Sequence, residues 1–166
     1  MTQKIGTLAD RVNNRLVRYF PGPAVRIETS QPIVSFTFDD VPASAWTKGA
    51  RILEDEGVLG TFYIAGVFID RHDEQQEMIS AKGCSELAAA GHELACHTYS
   101  HRKLSSFSRR GLEEDFDRND RVLGSFDEKR HRQNFSVPFG MASPIMQPLL
   151  RRRFRTTRGI MPGINR

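Results

Sequence analysis

The stretch PIVSFTFDDVPASAWTKGARILEDEGVLGTFYIAG, residues 32–66, holds one complete strand, helix and strand unit. Ile33 to Phe38 is a short β-branched and aromatic run that stops at Asp39 and Asp40, which reads as a strand with two acids at its C-terminal end. Ser44 to Glu56 then places Trp46, Ala50 and Leu53 at helical spacing, with Trp46 on the core side. Gly57 can take the left-handed conformation that closes a helix. Gly60 to Ala65 reads as a second strand.

The alternation continues downstream. Ser85 to Ala90 reads as a helix ended by Gly91, and His92 to Cys96 as a third strand. Arg109 to Leu123 is a longer helix with Leu112, Phe116, Asn119 and Leu123 on one face, Ser108 as its N-cap and Gly124 as its end. A fourth strand is expected at Asn134 to Val137 and a fifth near Phe154 to Thr157. Between them Pro144 and Pro148 each suit a first helical turn, so the start of that helix is ambiguous. Strands alternating with helices over short connections imply parallel pairing, either in an open doubly wound sheet or in a barrel. Both gather ligands at the C-terminal strand ends. Asp39 and Asp40, His97 to His101, and Pro138 to Gly140 all fall there.

The 166 residues are 39% hydrophobic and 27% charged, an ordinary globular balance with room for one domain. Residues 1–30 form a polar, basic arm or short helix outside the core, set off by Pro21, Gly22 and Pro23, and residues 31–166 form the domain. No stretch is apolar for long enough to span a membrane and the N-terminus lacks a secretory signal, which makes the cytoplasm the default expectation. Cys84 and Cys96 form no metal-binding or disulfide pattern and read as core thiols. The net charge of +4 comes from residues 151–166, which hold six arginines and no acid. Such a run is more often a solvated helix end than a nucleic-acid site.

Chemistry concentrates in two places. In HTYSH, residues 97–101, a tight turn brings His97 and His101 to the same side, where they can supply two nitrogen ligands to one metal. Successive side chains on an extended segment point opposite ways, so Asp39 and Asp40 divide the work: one ligates, the other stays near the metal-bound water as a base. Two imidazoles and a carboxylate leave positions open, the form of a catalytic zinc site. The plain alternatives are surface or capping histidines and an Asp-Asp turn ahead of Pro42, and His72, His92 and His131 are read by default as solvated loop residues.

VSFTFDD (34–40), ILEDEGVLGTFYIAG (52–66) and LAAAGHELACHTYSH (87–101), in that order, resemble the polysaccharide deacetylases, the NodB-homology domain of carbohydrate esterase family four. The resemblance covers about residues 32–160. It implies a distorted TIM-like (β/α) barrel, one divalent metal ion, most commonly zinc, and hydrolytic removal of acetyl groups from N-acetylated oligo- or polysaccharides. It makes Asp39 the general base, Asp40, His97 and His101 the metal ligands, and the backbone N–H of Phe139 in FSVPFG the oxyanion donor. The chain departs from that pattern in three ways. Ser136 stands where the family has the arginine that holds the base, and Arg132 or Arg158 is left to replace it. No late motif supplies the family's general-acid histidine, since His131 precedes the fourth strand. Five strands are fewer than the barrel needs, so an incomplete barrel is expected, with apolar core laid open and consequent low solubility or self-association.

Two other readings stay on the page. One is a metal- or carbohydrate-binding relic of the family that does not turn over. The other, a non-haem iron site built from His72, Glu74 and His131, conflicts with the strand and helix alternation, because such sites belong to antiparallel barrels.

Overall fold

The computed structural model describes residues 8–19, 29–72, 76–127, 133–141 and 143–159. His131, Arg132 and Glu74 lie outside them. In chain order the elements are α1 (Leu8–Tyr19), β1 (Thr37–Asp39), a π-helical turn (Ala45–Ala50) running into α2 (Arg51–Asp55), β2 (Thr61–Ile64), α3 (Ala81–Ala89), β3 (Glu93–Cys96), α4 (Arg109–Gly124), β4 (Asn134–Ser136), α5 (Gln147–Arg153) and β5 (Thr156–Arg158). The five strands are parallel and lie in the sheet in sequence order, β1-β2-β3-β4-β5. This order decides between the two architectures. Right-handed crossovers that always step in one direction leave their helices on one face and curl the sheet toward a barrel, whereas a doubly wound sheet reverses direction. The fold is an incomplete, distorted TIM-like barrel.

The outer face carries the apolar side chains. Phe38, Phe62 and Leu94 align across β1, β2 and β3 and pack with Ile64, Ile79, Cys84 and Leu87. A second cluster joins Phe135 to Leu112, Phe116, Leu150 and Phe154. There the Phe135 and Phe154 rings stack 4.9 Å apart, with Phe116 edge-on to both. Trp46 packs on the first cluster, and its indole N–H donates to Glu86 at 3.1 Å.

Because strand side chains alternate, the inner face takes the other set: Thr37 and Asp39, Thr61 and Tyr63, Glu93 and Ala95, Asn134 and Ser136, Thr156 and Arg158. Nearly all are polar, and they bond to one another. Thr61 Oγ1 donates to Glu93 at 2.9 Å, Asn134 Nδ2 donates to both Glu93 oxygens at 2.7 and 2.9 Å, and Thr156 Oγ1 donates to Asn134 Oδ1. The face left open is therefore not the apolar core that an incomplete barrel was expected to expose.

Several boundaries differ from expectation for identifiable reasons. The ladder of β1 covers only Thr37–Asp39, because β2 begins at Thr61 after the turn at Gly57 and offers nothing opposite Ile33 to Ser35. Ile33, Val34 and Phe36 are exposed. Helix α3 starts four residues before the expected Ser85, capped by Ser80, whose Oγ accepts from Gly83 N–H at 3.1 Å. The cap at Ser108 is as expected, accepting from Gly111 N–H at 3.1 Å. Both prolines are used: Pro144 opens a 3₁₀ turn and Pro148 lies in the first turn of α5. His92, expected in a solvated loop, is fully buried. Its Nδ1 accepts from Gly60 N–H at 3.0 Å and its Nε2 faces Glu54 Oε1 at 3.3 Å, tying the entries of β2 and β3 to α2.

Among the described residues no helix is long and apolar enough to cross a membrane. Cys84 and Cys96 are buried free thiols, and burial pushes both to a pKa of about 12. Native protein at pH 8 is expected to leave a thiol-specific chromogenic disulfide unreacted, and guanidinium-unfolded protein to titrate two thiols. Prompt reaction of either thiol in the native state would contradict this packing.

Candidate functional site

The strand order sets Asp39 and Asp40, the 97–101 loop and the turn Pro138–Gly140 side by side at the C-terminal edge of the sheet. The backbone there is unusual. Asp40, Val41, Thr98, His101 and Phe139 all have positive φ, between 49° and 62°. Of the non-glycine residues described with positive φ, only Asp70 is elsewhere in sequence. For Val41, β-branched and fully buried, this conformation is costly. The tight turn after β1 is what separates the two aspartates: Asp39 stays on the inner face and Asp40 swings toward the histidines.

Asp40 Oδ1 lies 2.9 Å from His101 Nε2 and 3.5 Å from His97 Nε2. Asp40, His97 and His101 are the group of His, Cys, Asp or Glu side chains, among the described residues, whose ligand atoms converge, all within 4.8 Å of one another. His97 is buried, and its Nδ1–H donates to the carbonyl oxygen of Ser136 at 2.8 Å. That bond fixes the tautomer and turns the Nε2 lone pair into the site. Burial raises the Asp40 pKa, but the hydrogen bonds and charge of the His101 and His97 rings outweigh it and hold the carboxyl well below the usual range. Asp40 Oδ1 is buried, and what faces it is the pair of imidazole Nε2 atoms. A cation placed between this oxygen and the two imidazole nitrogens would meet all three donors. Ligands about 2.0–2.1 Å from a tetrahedral zinc lie roughly 3.4 Å apart, and the donor spacing and chemistry here fit such an ion.

Asp39 has a different partner. Arg158 Nη2 is ion-paired to Asp39 Oδ1 and also donates to Ser136 Oγ at 3.2 Å, while its guanidinium lies 5.1 Å from the centre of the Tyr63 ring. Ser136 and Arg158 are register partners on β4 and β5, so the guanidinium is supplied from one strand further along than the family pattern places it. Of the two candidates left open for this contact, Arg158 makes it. Tyr63, opposite Asp39 in the ladder, has its pKa raised by burial, with the nearby Arg158 opposing.

The rim is aromatic. The His101 ring lies between Phe68 at 4.9 Å and Phe139 at 4.6 Å, and Phe139 is half exposed. Phe139 sits in the turn after β4 with φ 58°. His72 is at the surface near Glu77, far in role from the triad, and the site includes neither it nor His92.

A profile of the polysaccharide deacetylase family matches residues 26–152. The chain belongs to the polysaccharide deacetylases. A chitooligosaccharide deacetylase of Sinorhizobium fredii is 29% identical over 120 residues, which are 71% of this chain and 52% of that protein. A "probable peptidoglycan-N-acetylglucosamine deacetylase" of Arthroderma benhamiae is 28% identical over 126 residues, 75% of this chain and 28% of that protein. The chain thus spans about half or less of these relatives. Among solved structures, IcaB from Ammonifex degensii superposes with a TM-score of 0.75 at 21% identity, covering 98% of this chain and 82% of that one.

Two residues that support the loops of this site were missed in the sequence. Asn119 was read as part of an apolar face; it is buried and bonds to Gly66 N–H at 2.9 Å and to the Ile64 carbonyl at 3.0 Å. A polar residue at a core position of an amphipathic helix was the available signal. Gly66 closes the ILEDEGVLGTFYIAG stretch but was given no role of its own there; a Cβ at this position would lie 2.6 Å from the Tyr99 ring and 3.0 Å from Asn119 Oδ1. Gly66→Ala is expected to cost about 1–3 kcal/mol, read as a lowered unfolding midpoint in urea. An unchanged midpoint would show that the two loops are less tightly joined than described.

Proposed function

We propose that this chain is a metal-dependent hydrolase that removes N-acetyl groups from an amino-sugar oligosaccharide or glycan. The observation that carries the reading is the pairing of two unlike carboxylates. Asp40 converges with His97 and His101, while its neighbour Asp39 is held apart by Arg158. The names of the curated relatives support an N-acetylated glycan as the substrate class.

Asp40, His97 and His101 would hold the ion, and zinc suits this nitrogen and oxygen set. A bound zinc ion supplies Lewis acidity, lowering the pKa of a coordinated water and polarising the acetamide carbonyl. Asp39 takes the proton from the attacking water. Arg158 fixes the direction of Asp39, and the Ser136 hydroxyl steadies the guanidinium. The backbone N–H of Phe139 is the donor for the oxyanion that forms on the acyl carbon. Phe68 and Phe139 shield His101 from bulk water.

One observation favours a second reading, metal binding without turnover. Among the described histidines none is left to protonate the departing amine: His97 and His101 are in the triad, His92 is buried against Gly60 and Glu54, and His72 is at the surface.

The test is metal content by elemental mass spectrometry together with acetate release from N-acetylated chitooligosaccharides. About one zinc per chain is expected, lost in Asp40→Ala and His101→Ala. Asp39→Asn is expected to retain the metal and lower kcat by about 10²- to 10⁴-fold. Arg158→Ala should retain the metal and lower kcat by up to about 10²-fold through a misdirected base. Arg158→Lys should not restore the rate, because a point charge does not reproduce the planar fork. Metal binding with no acetate release would establish the second reading, and a folded chain that binds no metal would overturn both.

A further inference from the structure

The loop that carries the two histidines makes only one hydrogen bond with itself that involves a ligand residue: His101 N–H donates to Thr98 Oγ1 at 3.0 Å. Thr98 and His101 both have positive φ, so the loop is held in a conformation that its own residues disfavour. What holds it comes from helix α4. Tyr99 N–H and Ser100 N–H, consecutive along the chain, both point at one oxygen of Asp115, at 2.7 and 3.3 Å. Three residues further along α4, the guanidinium of Arg118 covers the Tyr99 ring at 3.7 Å. Asn119 follows on the same helix face and holds Gly66 and Ile64, at the end of β2. The β2 segment is bonded in turn to the histidine loop, Val67 N–H donating to the Tyr99 carbonyl at 3.0 Å, and it carries the Phe68 ring that packs on His101.

We propose that Asp115 is a positioning residue for the metal centre, setting the affinity of the Asp40, His97 and His101 site without touching it. The proposal rests on the reading of that triad as a metal site. Its physical content is specific. Two adjacent backbone N–H groups aimed at a carboxylate oxygen fix two of the four peptide planes between His97 and His101, the central pair, and thereby the angle between the two imidazoles. Without that anchor the loop relaxes from its left-handed turns and the His101 nitrogen leaves the point where the other two donors meet. Groups that orient metal ligands typically change metal affinity by about 10- to 100-fold. Asp115 belongs in that range because it sets the backbone of a ligand loop as a whole.

The experiment is zinc affinity by competition with a chromogenic chelator, measured on the full chain and on Asp115→Ala, Asp115→Asn and Ser108→Ala. Ser108→Ala removes the α4 cap and tests general weakening of the helix. The expected result is about 10- to 100-fold weaker zinc binding in Asp115→Ala, with a folded metal-free protein and faster amide exchange at Tyr99 and Ser100. Ser108→Ala should lower the melting temperature and leave zinc affinity unchanged. Asp115→Asn keeps an acceptor of the same size and is expected to fold, with an intermediate affinity of a neutral rather than a charge-assisted bond. If Asp115→Ala does not fold, Asp115→Asn decides: affinity equal to the parent chain overturns the proposal. Parent-like affinity in Asp115→Ala, or an equal loss in Ser108→Ala, also overturns it. A folded parent chain that binds no zinc removes the metal reading itself and this proposal with it.

Discussion

Asp39 stands on the first strand of the sheet and Arg158 on the last, yet their side chains form an ion pair. Neighbouring strands lie about 4.8 Å apart, so the edges of a flat five-stranded sheet would be separated by roughly 19 Å, beyond the reach of an arginine and an aspartate together. The pair exists only because the sheet curls. One-directional winding supplies the curl, and the curl brings a cation to the carboxylate that most needs one. Both partners are shielded by the Tyr63 ring and the Ser136 hydroxyl, so the contact is less screened than a surface salt bridge. Fold and chemistry meet in that contact: it ties the open ends of the half-barrel across its inner face and orients the proposed base.

The inner face explains how such a half-barrel persists. Closed barrels of this kind usually fill their interior with bulky branched side chains. Here the inner positions carry threonine, glutamate, asparagine and arginine joined by hydrogen bonds, and the apolar burial is assigned to the interface between sheet and helices. Water on a polar, mutually bonded surface costs little, whereas water on an exposed Leu or Ile layer costs much.

Much of this was legible in the sequence. Alternating strand and helix periodicity gave the parallel sheet, and the spacing of His97 and His101 with the Asp39 and Asp40 pair pointed to one metal centre at the strand ends. The choice between open sheet and barrel was legible only through the family resemblance, because it depends on the direction of each crossover and no local pattern encodes that. The partner of Asp39 was narrowed to Arg132 or Arg158 and no further: Arg158 is 119 residues away in sequence, and only the curl makes it a neighbour. His92 was misjudged for a related reason. Its position before a strand looks solvated, and only the convergence of Gly60 and Glu54 on its two ring nitrogens makes burial tolerable. Asp115 was invisible because the donors it accepts from are backbone N–H groups, which leave no trace in residue identity.

The last strand is three residues long, and its first two side chains, Thr156 and Thr157, are exposed. Besides the ladder, its facing is held by the Thr156 bond to Asn134 and the Arg158 contacts with Asp39 and Ser136, and a slip of one residue would turn Arg158 to the outer side. A molecule misaligned in this way would keep its helices, its apolar clusters and the three converging ligands, and would pass for native in a spectrum or a metal assay. It would still lack the cation beside Asp39. Under the proposed hydrolase reading, the rate per bound metal would report how faithfully one short strand has found its alignment.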